Sequence, residues 1–408
     1  MLDEFMILSQ IKKTKLRTWV ELDRSAIKKN FELFNSLLKK ETILMAVVKS
    51  NAYGHGLVVF SKEVVRLGVK FLGVDSFEEA LELRDAGIKT RIMVFGYVSP
   101  AYYREASEKN ISVTISNTVA LENLIKTIKP PLNSLLVRGD NRIKIHIKVD
   151  TGLGRQGFLM DELEKVLALL IKNKKKIEVE GLYSHLAVGE DLSGHKYTML
   201  QASRLNIWHE AFKKEGYNPL KHICASSSAM FFPELHFDMV RVGIGMYGLW
   251  SSKETKEAFH KKYKLHPVLS WKTIITEMKS LPKGTKIGYD LTEELKRNSK
   301  LAIIPVGYWH GYPRLLSSKG VFNVNRKKVK LIGRVSMDMI VLDVTEIRVK
   351  VGDEVAIIGG KGIKRGHYAE ADMMAQDSDT INYEIVTRIN PIIKRFYRIN
   401  PEIVRVLK

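Results

Sequence analysis

The chain has 408 residues, 45% of them hydrophobic, which suffices for a large core and two domains. Its 66 Lys+Arg against 45 Asp+Glu give a net charge of +21, yet the basic residues are spread out, with short clusters at 172–176 and 326–328. No aromatic-interleaved basic stripe accompanies them, so the charge reads as solvated lysine faces and a field for anionic small molecules, not as a specific nucleic-acid surface.

One cysteine, Cys224, excludes an internal disulfide framework and fits a reducing compartment. No stretch approaches the roughly 20 apolar residues of a membrane span. The first residues (Met1 to Phe5) carry an early acidic pair and no apolar h-region, so no secretory signal is read and a cytoplasmic location is expected.

Residues 1–17 are weakly patterned, and their placement stays open. From about residue 18 to 261, short apolar runs alternate with amphipathic stretches. Strands are expected at Thr18–Leu22, Ile43–Val48, Phe71–Val74, Ile92–Phe95, Ile111–Thr114, Ile143–Val149, Val179–Tyr183 and His222–Ala225. The helices between them are well punctuated. Ser76 and Glu79 form a capping box for a helix that Gly87 ends, and the helix from Leu57 to Leu67 stops at Gly68. About eight strands with intervening helices predict an α/β fold, a parallel (β/α)8 TIM-type barrel whose C-terminal strand ends carry the chemistry. Periodicity alone leaves an open doubly wound sheet as the alternative.

From 262 to 408 the texture changes. Short runs at Trp271–Glu277, Leu301–Val306, Val329–Ile332, Met339–Val344 and Glu354–Ile358 predict a mostly β second domain. A helical pattern returns at Ala369–Ile389, broken near Asp377.

The most informative segment is Lys49, set after the apolar run Ile43–Val48 and before Ser50-Asn51-Ala52-Tyr53-Gly54-His55-Gly56. A lysine leaving a buried strand is expected to be poorly solvated and to lose its proton readily, as a Schiff-base lysine must. The bland alternative is a lysine snorkelling to water. A second strand runs into Lys148-Val149-Asp150-Thr151-Gly152-Leu153-Gly154-Arg155, and a third ends at Tyr183-Ser184-His185. Ala225-Ser226-Ser227-Ser228 and Arg241-Val242-Gly243-Ile244-Gly245 offer hydroxyls and backbone N–H groups suited to a phosphate.

The Lys49 segment resembles the K-x-N-A-Y-G-H-G signature of the alanine racemase family of pyridoxal-phosphate enzymes. The similarity continues in order from about Thr18 to Arg398. It implies pyridoxal 5'-phosphate as cofactor, no metal, and an N-terminal barrel with a C-terminal β domain. It also implies a head-to-tail homodimer with shared active sites, acting on a small amino acid and supplying D-alanine for cell-wall peptidoglycan.

By this resemblance Lys49 attaches the cofactor and is the base on one face of the substrate Cα. Tyr53, Ser227, Tyr383 and the backbone of Gly243 and Ile244 hold the phosphate. Arg155 reaches the substrate region, held by Lys148, which is often carbamylated in the family. His185 stacks on the pyridine ring. Arg241 hydrogen-bonds the ring nitrogen and, with a pKa above about 12, cannot readily protonate it, which weakens the electron sink.

The second base is Tyr289, supplied by the partner subunit. An ordinary tyrosine pKa is about 10, so a neighbouring cation, an imidazolium at His185 or Arg241, is expected to assist it. Tyr308 lines the substrate entry, and Met337 with Asp338 approaches the substrate carboxylate. His310 and Asp290 depart from the family pattern, which has Asp and Gly there. Alanine is the leading substrate; serine, lysine, a broad range, a barrel-type decarboxylase and a non-catalytic cofactor carrier are the alternatives.

Overall fold

The computed structural model describes residues 16–128, 142–190, 192–359 and 370–397. Residues 1–15 of the N-terminal extension, and Ala369 at the start of the expected helical stretch, lie outside the described residues. The chain divides into two compact units. One holds residues 27–52 and 60–266, and the other holds 1–26, 53–59 and 267–408.

The first strand, β1 (Thr18–Leu22), belongs to the second unit. The barrel unit is built from β2 (Ile43–Val47), β3 (Phe71–Val74), β4 (Arg91–Val94), β5 (Ile111–Ile115), β6 (Ile143–Lys148), β7 (Ile177–Tyr183), β8 (Leu220–His222) and β9 (Met239–Val242). All its ladders are parallel, in the order β8-β7-β6-β5-β4-β3-β2-β9, and the two edge strands β8 and β9 lie side by side. The result is a nearly closed eight-stranded barrel. Its strands are buried almost throughout, which is why β2 and β3 read as continuous apolar runs and not as alternating ones.

Two expectations change. Thr18–Leu22 is not the first barrel strand. It pairs antiparallel with β10 (Leu269–Ile274) and parallel with the last strand, Lys394–Tyr397. A half-buried apolar run looks the same in either sheet; what decides is a partner some 250 residues away. There the buried Lys272 reaches the buried Glu21 at 3.0 Å and the exposed Glu354 at 2.8 Å, a triad that ties β1 to its sheet. The vacated barrel position falls to Met239–Val242, which the sequence reading takes only as a cofactor segment. It pairs with β2 through Met45↔Arg241.

The second unit continues with β11 (Glu277–Leu281), β12 (Lys286–Ile287), β13 (Glu293–Glu294), β14 (Ser299–Ile304), β15 (Val321–Val324), β16 (Lys327–Ile332), β17 (Ile340–Asp343), β18 (Glu354–Ile358) and β19 (Lys394–Tyr397). Nine of these strands form one mixed sheet, β11-β14-β17-β16-β15-β18-β10-β1-β19, and β12 with β13 makes a separate hairpin. The helical stretch is broken as expected, into Ala371–Asp377 and Asn382–Thr387. Among the described residues no helix is long and apolar enough to cross a membrane.

Between β2 and the helix Leu57–Arg66 the chain makes a left-handed turn. Ser50, Asn51, Ala52 and Tyr53 all have φ between 50° and 56°. Such a conformation costs about 1–2 kcal/mol per non-glycine residue, so the surroundings must impose it. Ala52 N donates to Val48 O at 2.8 Å, and Asn51 N donates to Glu79 Oε1 at 2.9 Å. The capping-box glutamate therefore serves twice: Ser76 Oγ accepts the Glu79 N–H, and Glu79 fastens the turn after Lys49.

Gly54 follows at φ 77°, where a Cβ would strike the Val386 carbonyl. Gly54→Ala should lose at least about 2 kcal/mol, the sum of left-handed strain and overpacking, read as a lower urea midpoint at unchanged slope.

Candidate active site

Five sequence-predicted residues stand at the C-terminal ends of barrel strands. Lys49 follows β2, Lys148 ends β6, His185 lies just beyond β7, and Ser227 follows β8, while Arg241 lies on β9 itself. Parallel strands of a barrel place these ends at one mouth, so residues nearly 200 positions apart share one site.

The two lysines exchange the properties that the sequence suggests. Lys49, expected to be poorly solvated, has a side chain 39% exposed, with its ammonium 3.6 Å from Asp75. It stands on the open rim, beyond the packed part of β2. Lys148 is the buried lysine, and its Nζ donates to Gln156 Oε1 at 2.9 Å. Burial, then the positive charges of Arg155 and Arg241, push it down to about 8. At that value a minor fraction of the amine is neutral near physiological pH, enough for it to act as a nucleophile while the cation still predominates. Arg155 itself is exposed, in the loop after β6 that Asp150 orders by accepting Gly152 N and Gly154 N.

Arg241 is buried and fully engaged on one side. Its Nη1 donates to His222 Nδ1 at 2.9 Å; its Nη2 donates to the carbonyls of Ser184 and Ile223 at 2.9 Å and to His185 Nδ1 at 3.2 Å. A guanidinium only donates, so both Nδ1 atoms accept and the imidazoles it faces are neutral with the proton on Nε2. The local electrostatics point the same way. Burial and the Arg241 charge push His185 down to about 3, and His222 is driven well below its usual range for the same reasons. The imidazolium expected at His185 is thereby corrected: a ring beside a buried arginine cannot also carry a proton charge. Burial lowers Arg241 to about 10, which leaves it a cation at neutral pH.

The turn after β9 is shaped by Ser226, whose Oγ accepts from Gly243 N at 3.0 Å and Gly245 N at 3.3 Å. The Gly243 N–H, expected to face a phosphate, is thus spent on the turn. Ser227 and Ile244 are buried beside it.

The other predicted residues lie in the β unit. Tyr53 and Tyr383 pack with ring centroids 6.0 Å apart. Tyr289 is 68% exposed at the tip between β12 and β13, and Asp290 beside it has φ 61° and reaches Arg334 at 2.9 Å. Tyr308 N donates to Ser336 O and Trp309 N to Met337 O, which brings Tyr308, Met337 and Asp338 into one exposed group. His310 keeps a useful property of an aspartate: its Nδ1 accepts the Gly307 N–H at 3.2 Å.

Sequence reasoning missed His146, Glu180 and His222, all buried inside the barrel unit. A signal was present in β6 and β7, where His146 and Glu180 alternate with apolar residues.

A family model for the N-terminal domain of alanine racemase matches residues 22–251, and one for the C-terminal domain matches residues 268–397. The chain belongs to the alanine racemase family. It is 37% identical over 386 residues to the alanine racemase of Leptospira interrogans, covering 93% of this chain and 95% of that one. It is 38% identical over 382 residues to the alanine racemase of Methanococcus maripaludis, covering 93% and 98%. Among solved structures, alanine racemase from Streptomyces lavendulae superposes with a TM-score of 0.85 at 33% identity, over 95% of this chain and 98% of that one. The alanine racemase of Bacillus anthracis with bound L-Ala-P matches at a TM-score of 0.85 and 32% identity, covering 94% and 95%.

The Lys148 shift generates a stability test. Its folded pKa of about 8 lies below the ordinary lysine value of 10.5. Between those values the unfolded chain binds more protons, so stability rises with pH there. Below about pH 8 the full penalty stands. In cofactor-free protein and carbon dioxide-free buffer, Lys148→Met should be more stable at pH 7 by up to about 3 kcal/mol. It should also lack the rise above pH 8, as measured by urea unfolding across pH.

Proposed function

We propose that this chain interconverts L- and D-alanine with pyridoxal 5'-phosphate, as a head-to-tail homodimer in which each barrel receives Tyr289 from the partner chain. The observation that carries the reading is Arg241, held as a cation between two neutral imidazoles at the barrel mouth where Lys49 also stands.

The donor set fits the cofactor. Lys49 supplies a primary amine for its aldehyde, Arg241 a donor for its ring nitrogen, and Ser227 and Ile244 N donors for its phosphate, for which the family resemblance also names Tyr53 and Tyr383. The mouth is also strongly cationic, with Lys49, Lys148, Arg155 and Arg241 acting on one another, which suits a doubly anionic phosphate and an amino-acid carboxylate. Pyridoxal phosphate, when bound, draws electrons from the substrate Cα and so acidifies its proton.

Lys49 takes or returns that proton at one face. Tyr289 does so at the other, and its exposed setting beside Leu291, Trp309, Met337 and Met339 suits coverage by a second chain. His185 Nε2–H donates to the tyrosine oxygen and stabilises its anion, with the Arg241 charge behind it. Arg241 stays protonated and contributes a hydrogen bond without giving up a proton, which keeps the withdrawn charge small and limits side reactions. Arg155 orients the substrate, with Lys148 beside it in amine or carbamylated form, and Tyr308, Met337 and Asp338 frame the entry.

The experiment is Cα exchange and optical rotation in deuterated buffer over a panel of L- and D-amino acids with added cofactor. Alanine should exchange and racemise faster than serine or lysine; decarboxylation, or exchange of no amino acid, would overturn the reading. Lys49→Ala should form no borohydride-reducible cofactor adduct, and an adduct at another lysine would remove Lys49 as the attachment point. Tyr289→Phe should slow exchange from one alanine enantiomer by about 10²–10⁴-fold and from the other much less. Equal, negligible effects would remove Tyr289 as the second base.

A further inference from the structure

Beyond His222, the hydrogen-bond chain from Arg241 continues through the barrel interior. His222 Nδ1 accepts from Arg241, so its Nε2 carries the proton and donates to His146 Nδ1 at 3.0 Å. His146 then protonates at Nε2 and donates to Glu180 Oε2 at 3.1 Å. Glu180 is buried, accepts from Ser112 Oγ, and meets the Arg91 guanidinium at 2.8 Å. Every bond runs the same way, from a cation on β9 to a carboxylate on β7.

The surrounding packing fixes this line of rings. The Tyr183 ring stacks on His222 with centroids 4.8 Å apart and planes 2° apart. The Phe71 ring meets His146 edge-on at 5.7 Å. Gly181, opposite His146 in the β6–β7 ladder, leaves room for the imidazole, because a Cβ there would run into it.

We propose that Glu180 is a positioning residue for Arg241, acting through His146 and His222 along this one-way chain. The role of Arg241 in the reaction rests on the racemase reading; the chain itself does not. A buried arginine needs compensating negative charge, and among the described residues no carboxylate touches it directly. Two polarisable imidazoles in series carry the Glu180 charge to its Nη1 and hold one edge of the guanidinium in a single orientation. Burial opposes the Glu180 charge, but the hydrogen bonds from His146 and Ser112 and the Arg91 guanidinium outweigh it and hold the carboxyl below the usual carboxylate range. The carboxylate is therefore present throughout the working pH range. The simpler alternative is that Glu180 only cross-links strands through Arg91 and Ser112.

Two measurements separate them. Ring-¹⁵N spectra of the unsubstituted full-length protein should show neutral His146 and His222, each with its proton on Nε2. A proton on Nδ1 of either ring would overturn the proposal, whatever the protein's activity. In the holoenzyme, Glu180→Gln should lower kcat for alanine by about tenfold or more with KM within about twofold, and should shift the absorbance of the bound cofactor. Glu180→Asp, which retains the charge, should recover part of both. An unchanged kcat and spectrum in Glu180→Gln, with only the melting temperature lowered, would overturn the positioning role. If the glutamine variant does not fold, the aspartate variant and the ring spectra decide.

Discussion

The barrel unit is organised around one awkward object, the guanidinium of Arg241 inside a core of apolar strands. Burying a cation is expensive unless its donors are matched, and four groups are arranged for that purpose. Two carbonyls and two imidazoles receive its hydrogens, and the demand that each imidazole accept at Nδ1 fixes their protonation. Once those rings are neutral donors at Nε2, their onward partners are dictated as well. The placement of His185, His222, His146 and Glu180 follows from a single charge.

The same charge explains why two lysines at one mouth differ. Lys148 is buried and lies near Arg155 and Arg241, so burial and like charges act on it in the same direction. Lys49 sits further out, with Asp75 beside it and solvent around it. Its distinction is positional. A strained left-handed turn, fastened by Glu79, directs the chain away immediately after it. The strain falls beside the reacting amine, where rigid placement is most useful.

Local motifs were legible in the sequence. The capping box, the glycine stops, the apolar barrel strands and the short β runs of the second unit all depend on nearest neighbours, and they are found where the pattern puts them. What was not legible depends on remote partners. Thr18–Leu22 carries the same signal whichever sheet it joins, and Met239–Val242 is a strand interrupted by an arginine, which hid its role as the last barrel strand. His146 and Glu180 were passed over because an imidazole and a carboxylate inside apolar strands acquire meaning only when β6, β7 and β8 stand side by side. The neutrality of His185 was invisible for a related reason: it requires the distance to Arg241.

The placement of β1 has a consequence for how the molecule is made. Trp271 Nε1 donates to Thr18 Oγ1 across 253 residues of sequence, and the other neighbour of β1 is the last described strand, β19. During synthesis β1 emerges first and stays without either partner until the barrel strands have been made. Its two edges are satisfied only once β10 and β19 have both been made, so β1 waits on partners far along the chain. A chain lacking Lys394–Tyr397 would leave β1 with a bare edge, open to strand addition from another molecule. The protection of β1 thus depends on a strand some 375 residues away.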